Sequence, residues 1–433
     1  MTVLGSVVRY VGLLRERDFR RLWIAQSVSQ VGSEVTLLAL PLVAVLLLDA
    51  TPFEVSLLGA TQFFAFILVA LPAGAWVDRL PRTRILVAAD LGRAAILLVV
   101  PLAAAGHLLS MGLLYAVVFG TAILRVFFDI GYQAILPDLV ERDRLAEGNS
   151  RLQVSNSAAQ LLGPGIGGWL VGLLSAPIAI AVDALSFLAS AIFLVGIRVR
   201  RVASTDVPVR PRSGMRREIL EGVWFYRRNP LLRSLAATTV TYYVGVWFAG
   251  GTQIAYLARD LQMSPEAIGL GYSIGAIGVL AGAAAGAAIG RRFGIGPTLM
   301  ASIVIGALSW AVMALAQPET ALALLALSAI GVGVTSMALS INYVSLRQAI
   351  TPPELQGRVN ATGRWLNWTM IPLAAIGGGA VATEIGIRTT ILIGSAVAFL
   401  AVPILFLSPL GSLRAMPAAV SLPEPPSPQA ASR

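Results

Sequence analysis

Twelve apolar runs, each about twenty residues long and parted by short polar breaks, limit what this chain can fold into. As a helix, each run crosses the roughly 30 Å hydrocarbon core of a bilayer. Lipid offers the backbone no hydrogen bonds, so only helices and closed barrels traverse it. The ten-residue alternation of a barrel strand is absent, which leaves helices. Composition agrees: 57% of the 433 residues are hydrophobic and 12% charged, where a soluble domain carries about a quarter. The expected fold is an all-α membrane protein with twelve transmembrane helices in two six-helix, pseudo-symmetric bundles.

The spans are predicted near 23–48, 55–77, 85–106, 112–136, 152–174 and 177–197, then 231–257, 267–290, 297–316, 321–346, 363–384 and 388–407. This divides the chain into an N-terminal segment 1–22, a bundle 23–197, a linker 198–229, a bundle 230–407 and a tail 408–433. The tail is rich in Pro, Ala and Ser and is expected to be disordered. Met1–Arg21 carries five arginines and no short apolar core, so no cleavable signal is expected. Val7–Trp23 reads equally as a helix lying on the membrane or as a basic tail. In the linker, Arg216–Arg228 has helical spacing and is expected to lie flat on the bilayer.

Arginine placement orients the chain. With the first terminus cytoplasmic, cytoplasmic segments, counting Arg364 at the edge of span eleven, hold 27 of the 32 arginines, nine of them in the linker. External loops hold only Arg259 and Arg388. That asymmetry is the positive-inside rule, with both termini cytoplasmic and the cell membrane as the site. It also explains a net charge of +10 without nucleic acid.

The chain has no cysteine and no lysine, and His107 is its one histidine. Thiolate metal sites, Walker A loops, Schiff-base lysines and H-E-x-x-H zinc sites are excluded. No cofactor, no metal and no enzyme activity are expected, and energy has to come from a gradient or a partner.

The halves echo each other. Gly74-Ala-Trp-Val-Asp78-Arg79 ends the second span, and Gly286-Ala-Ala-Ile-Gly290-Arg291 ends the eighth about 212 positions later. Ala134-Ile-Leu-Pro137 is echoed by Ala349-Ile-Thr-Pro352. Pro164 with Gly167-Gly168 is echoed by Pro372 with Gly377-Gly378. Parallel six-helix repeats place a binding site between the halves near the midplane.

From Phe19 to about Leu407 the chain resembles the major facilitator superfamily. The strongest match is Gly74-Ala-Trp-Val-Asp78-Arg79-Leu-Pro-Arg82-Thr-Arg84, similar to the family's loop between spans two and three. Pro81 replaces that motif's second glycine. The resemblance implies a gating carboxylate at Asp78, with Arg79 and Arg82 beside it; the second-half copy has Gly290 instead. Gly163-Pro164-Gly165-Ile166-Gly167-Gly168 resembles the fifth-span motif of drug–proton antiporters. Phe19-Arg-Arg-Leu-Trp23, Ala89-Asp90-Leu-Gly-Arg93, Asp183-Ala-Leu-Ser-Phe187 and Glu221-Gly-Val-Trp-Phe-Tyr-Arg-Arg-Asn-Pro230 are similar to the macrolide-efflux and enterobactin-exporter-like branch. The implied activity is secondary transport by a functional monomer, with a small molecule and protons as partners.

Charges at bilayer depth cost about 2.5–3.5 kcal/mol on insertion scales and mark cavities or partners. Glu34 lies mid-span in the first helix and suits proton coupling or substrate contact; the alternative is a side chain that only shapes the pocket. Arg125 and Asp129 are four apart in the fourth span, on one face. They read as a switching charge pair, a gate, or a static pair that neutralises itself. Asp90 and Arg93 belong either to the cytoplasmic gate or to a structural pair. Asp183, in the sixth span, is a further coupling candidate that contacts water or a partner. Phe63, Phe64, Phe128, Tyr243, Trp247 and Tyr343 line a cavity or face lipid. Glycines 271, 275, 278, 282, 286 and 290 form a stripe along span eight, and span five has another. Such stripes admit close helix approach, and the two spans are expected to slide on each other.

The reading is a proton-driven exporter of amphipathic molecules working by alternating access. Its rivals are a nutrient symporter, which favours a more polar pocket, and a non-transporting sensor, which has no cavity at Glu34 and Asp129.

Overall fold

The computed structural model describes residues 12–77, 80–197, 215–415 and 417. Among these residues the regular structure is entirely helical. The first bundle comprises α1 (Arg17–Leu47), α2 (Pro52–Val77), α3 (Arg82–Ala105), α4 (Met111–Leu139), α5 (Leu145–Leu174) and α6 (Ala176–Val195). A linker helix, Met215–Arg228, leads to the second. That bundle comprises α7 (Pro230–Gly250), α8 (Pro265–Phe293), α9 (Ile295–Ala314), α10 (Ala321–Ala349), α11 (Gln356–Ile385) and α12 (Ile387–Phe406). Eleven of the twelve are long and apolar enough to cross a membrane. The other, α7, is diluted by Arg233, Thr238, Thr239 and its tyrosines, yet packs between α11 and α12 inside the bundle.

Local chemistry sets the helix starts. Ser110 accepts from the Leu113 N–H at 3.3 Å, and Asn229 from those of Leu231 and Leu232 at 3.0 and 3.2 Å. Proline follows Asn229 at the first helical position, where its missing N–H costs nothing. α5 and α11 begin seven residues before their predicted spans, because their first turns carry Glu147, Arg151 and Arg358 and lie beyond the apolar stretch. At 30 residues each, they are about 45 Å long and outreach the hydrocarbon core.

The repeat is visible in the packing. Contacts of α1 with α5 and α6, α2 with α4, and α3 with α4 and α6 recur as α7 with α11 and α12, α8 with α10, and α9 with α10 and α12. It is visible in the backbone too. Ser175 (φ 114°, ψ 158°) turns α5 into α6, and Gly386 (φ 87°, ψ 152°) turns α11 into α12. Two inter-half seams remain, α2 against α11 and α5 against α8.

The glycine stripe of α8 corrects an expectation. It faces α10 within its own bundle. A Cβ added at Gly278 or Gly282 would lie 2.3 or 2.4 Å from the Ile330 or Val334 carbonyl oxygen of α10. The α5 seam uses another α8 face, at Pro265, Gly269 and Ser273. Glycine spacing shows that a helix approaches something closely without naming the neighbour.

Candidate functional site

The face bearing the start of α1, the linker helix and most arginines is the basic face. On the opposite face the halves touch. Arg259, in the π-helical turn Tyr256–Asp260 after α7, donates to the Ala50 and Val45 carbonyls of the other half at 3.0 and 3.2 Å, and lies 3.5 Å from Asp49. The Phe53 N–H donates to Thr383 Oγ1 at 3.3 Å, joining α2 to α11. Nearer the basic face Phe66 of α2 meets Trp368 of α11, centroids 4.5 Å apart, and the Arg364 guanidinium lies 5.8 Å from the Phe66 ring. The Arg125 and Asp129 side chains are each 55% exposed.

Between the halves lies a cavity of about 560 Å³, lined mostly by apolar residues from α1, α2, α5, α7, α8, α9, α10 and α11. Glu34 is its one charged lining residue among the described residues. Phe63, Trp247 and Pro164 also line it, as do Gln160, Tyr272 and Trp310. Phe63 and Trp247 meet edge to face at 5.3 Å, across the two halves. Gln30 donates to Glu34 Oε1 at 3.3 Å from one turn below, and Arg125 is the cation whose field reaches the carboxylate.

The glycine-proline motif of α5 explains why Glu34 is there. A Cβ at Gly163 would sit 2.4 Å from Glu34 Cβ, so the glycine vacates the space that the acid occupies. Gly167 meets Val35 Cα in the same way at 3.1 Å. Gly168 faces the other half, where a Cβ would fall 2.3 Å from the Pro265 carbonyl oxygen. The Gly165 N–H donates to Ser273 Oγ of α8 at 2.9 Å. The motif thus seats α1 on one side and α8 on the other.

The remaining predicted residues lie elsewhere. Arg125 and Asp129 stand 3.8 Å apart on one face of α4, outside the cavity lining. Asp183 is buried between α1 and α6, away from the cavity lining; it accepts from Thr36 Oγ1 at 2.5 Å and Ser186 Oγ at 2.9 Å. Asp90 and Arg93 form a buried ion pair inside the first bundle rather than a gate between the halves. Ser190 donates to Asp90 at 2.6 Å, and the Arg93 guanidinium stacks on Phe128 and Phe187 at 4.5 and 4.1 Å. Arg82 pairs with Asp138 and donates to the Ala134 carbonyl at 2.7 Å, tying α3 to α4. Gly74 lies in the last turns of α2, while Asp78 and Arg79 lie outside the described residues.

Of the other aromatics, Phe128 is buried against Arg93, Tyr243 packs on Tyr242, and Tyr343 joins Arg347 near the start of α11. Phe64 is outside the lining. Gln30, Gln160, Tyr272, Trp310 and Arg259 were not singled out by the sequence. Arg259 had a signal, being one of two arginines on the arginine-poor side.

Residues 11–431 match the family described as transmembrane secretion effector. The chain belongs to the major facilitator superfamily. It is similar to the "Multidrug efflux pump Tap" of Mycolicibacterium fortuitum, 26% identical over 370 residues covering 83% of this chain and 88% of Tap. It is also similar to the uncharacterized MFS-type transporter YfiS of Bacillus subtilis, at 23% identity over 87% of this chain and 90% of that one. Among solved structures, the nucleoside transporter NupG superposes with a TM-score of 0.70 at 14% identity, covering 90% of this chain and 98% of NupG. A bacterial homologue of the iron transporter ferroportin, in an inward-facing state, also gives 0.70, at 18% identity over 92% and 99%. This major facilitator transporter is therefore an integral membrane protein built to carry small molecules.

Proposed function

We propose that the chain exports amphipathic small molecules from the cell in exchange for protons. The observation that carries this reading is a single carboxylate, Glu34, facing an otherwise largely apolar cavity between the halves. An apolar wall suits lipophilic cargo, and one titratable group there lets proton and cargo compete for the same space. The similarity to the multidrug efflux pump Tap supports the direction. The basic face is then cytoplasmic, both termini lie inside the cell membrane, and a vestibule at Arg125 and Asp129 admits cargo from the cytoplasm. The working unit is a monomer, since the cavity is built from one chain's halves.

Closure of the basic face is assigned to the loop after α2. α11 begins at Gln356 with no side-chain cap, directly after the 3-10 turn Pro353–Leu355 whose Pro353 carbonyl accepts the Gln356 N–H, and the positive end of its dipole faces the basic side and favours a carboxylate nearby. Asp78 would dock there when the halves close, with Arg79 and Arg82 holding the loop.

The test is transport into inverted vesicles of a fluorescent amphipathic dye such as ethidium, driven by an imposed pH gradient. Glu34→Gln abolishes gradient-driven accumulation by more than tenfold, because an amide exchanges no proton, while downhill exchange survives. Accumulation equal to the parent's would overturn the coupling assignment.

A further inference from the structure

The linker helix Met215–Arg228 has two faces. One is clamped to the start of α11: Glu221 pairs with Arg358, and a Cβ at Gly222 would lie 2.8 Å from the Arg358 carbonyl oxygen and 2.5 Å from Thr362 Oγ1. Tyr226, one turn on, is buried over Gly363, where its hydroxyl would be 2.4 Å from a Cβ. The other face is a ridge of Leu220, Trp224, Arg227 and Arg228, spaced i, i+4, i+7, i+8 and all exposed. Leu220 is 58% and Trp224 53% exposed, and the Arg228 guanidinium stacks on the Trp224 ring at 4.4 Å.

Two large apolar side chains one turn apart are costly to leave in water, and nothing among the described residues covers them. They lie on the basic face, and the helix that carries them packs on Arg358 to Gly363, where α11 passes into its apolar stretch and hence at the membrane boundary. Tryptophan at that level sits among lipid headgroups, its ring apolar and its N–H wet. Arginines beside it are attracted to anionic headgroups, and their stems lie along the apolar boundary. Charge, aromatic placement and exposure select one occupant.

We propose that the Leu220–Trp224–Arg227–Arg228 ridge is a docking site for anionic phospholipid headgroups. The occupied ridge fixes the linker helix to the membrane surface, and the opposite face of the same helix holds the first turn of α11, the helix that crosses between the halves beside α2. Headgroup charge therefore acts on α11 through Glu221, Gly222 and Tyr226.

The experiment uses the full chain, which contains no native cysteine. Leu220→Cys is spin-labelled and reconstituted in phosphatidylcholine vesicles with or without 30% phosphatidylglycerol. Accessibility to a water-soluble and a lipid-soluble relaxant then reads the depth of the label. The label is expected at headgroup depth and deeper with phosphatidylglycerol, with the difference lost in 1 M NaCl. In parallel, native mass spectrometry of the unlabelled chain reads retained lipid. Phosphatidylglycerol is expected to be retained in preference to phosphatidylcholine, and Arg227→Gln/Arg228→Gln lowers that preference at least fivefold, about one arginine's share. A label that stays water-accessible, an immersion indifferent to headgroup charge, or equal retention by parent and variant overturns the proposal.

Discussion

At the residue scale, a few contacts decide what the protein does. Glu34 owes its position to the missing side chain of Gly163. Gly163→Ala is expected to force α1 away from α5 at Glu34, to displace the carboxyl and to lose gradient-driven transport, because the added methyl meets a Cβ that only a backbone shift can move. Transport down at least tenfold together with a lowered Tm would show it; a variant with the parent's transport and Tm would contradict it. Arg259 joins the halves on the opposite face by donating to the Val45 carbonyl in the last turn of α1, at the negative end of that helix's dipole, and to the Ala50 carbonyl just after it. Arg259→Ala removes these bonds from one state alone, which shifts the equilibrium by their own free energy. About 1.4 kcal/mol, modest for hydrogen bonds from a charged group, shifts the ratio tenfold toward opening on that face. Accessibility of a cysteine at Ser56, buried under the closed face, to a membrane-impermeant thiol reagent measures it. Glu34 was legible in the sequence because an acid within a long apolar run has few places to go. Phe63 and Trp247 were legible only as aromatics, alongside four others that proved not to line the cavity. A helical wheel ranks positions around one axis; which of several neighbours each side meets is decided by tertiary packing.

At the scale of elements, two glycine crossings invite a contrast. Gly168 lets α5 meet α8 across the halves, whereas Gly278 lets α8 meet α10 inside one bundle. Overpacking either site costs roughly 1–3 kcal/mol. At Gly168 that cost falls on the state closed at the opposite face, so Gly168→Val is expected to favour opening there with little change in Tm. At Gly278 it falls on the bundle in every state, so Gly278→Val lowers Tm without changing access. Equal effects of both variants on Tm and accessibility would contradict the assignment of the two seams. Span positions were readable because the hydrophobic thickness of a bilayer sets helix length. The early starts of α5 and α11 were not, since their charged first turns project past the apolar stretch that hydropathy detects. The partner of the α8 stripe was hidden for the same reason as the cavity aromatics. Glycine spacing is identical whichever helix lies opposite.

At the scale of the whole molecule, the paired architecture itself suggests the working cycle. Contacts of Arg259 and Phe53 join the halves on the opposite face, and the Arg125 and Asp129 side chains are half exposed on α4. Each half repeats the same helix pairings, and on the proposed alternating-access reading, rocking about the α2–α11 and α5–α8 seams would close one face as it opened the other. The direct test is a pair of electron–electron distance measurements on spin labels in lipid nanodiscs. One pair, Asn149→Cys with Arg291→Cys, reports the basic-face ends of α5 and α8. The other, Leu108→Cys with Gln317→Cys, reports the exposed turns of the opposite face. Between pH 5 and pH 9 the two distributions are expected to move in opposite senses, and Glu34→Gln is expected to abolish that dependence. Distributions that stay fixed across the range, or that lengthen and shorten together, would contradict alternating access governed by the Glu34 carboxylate.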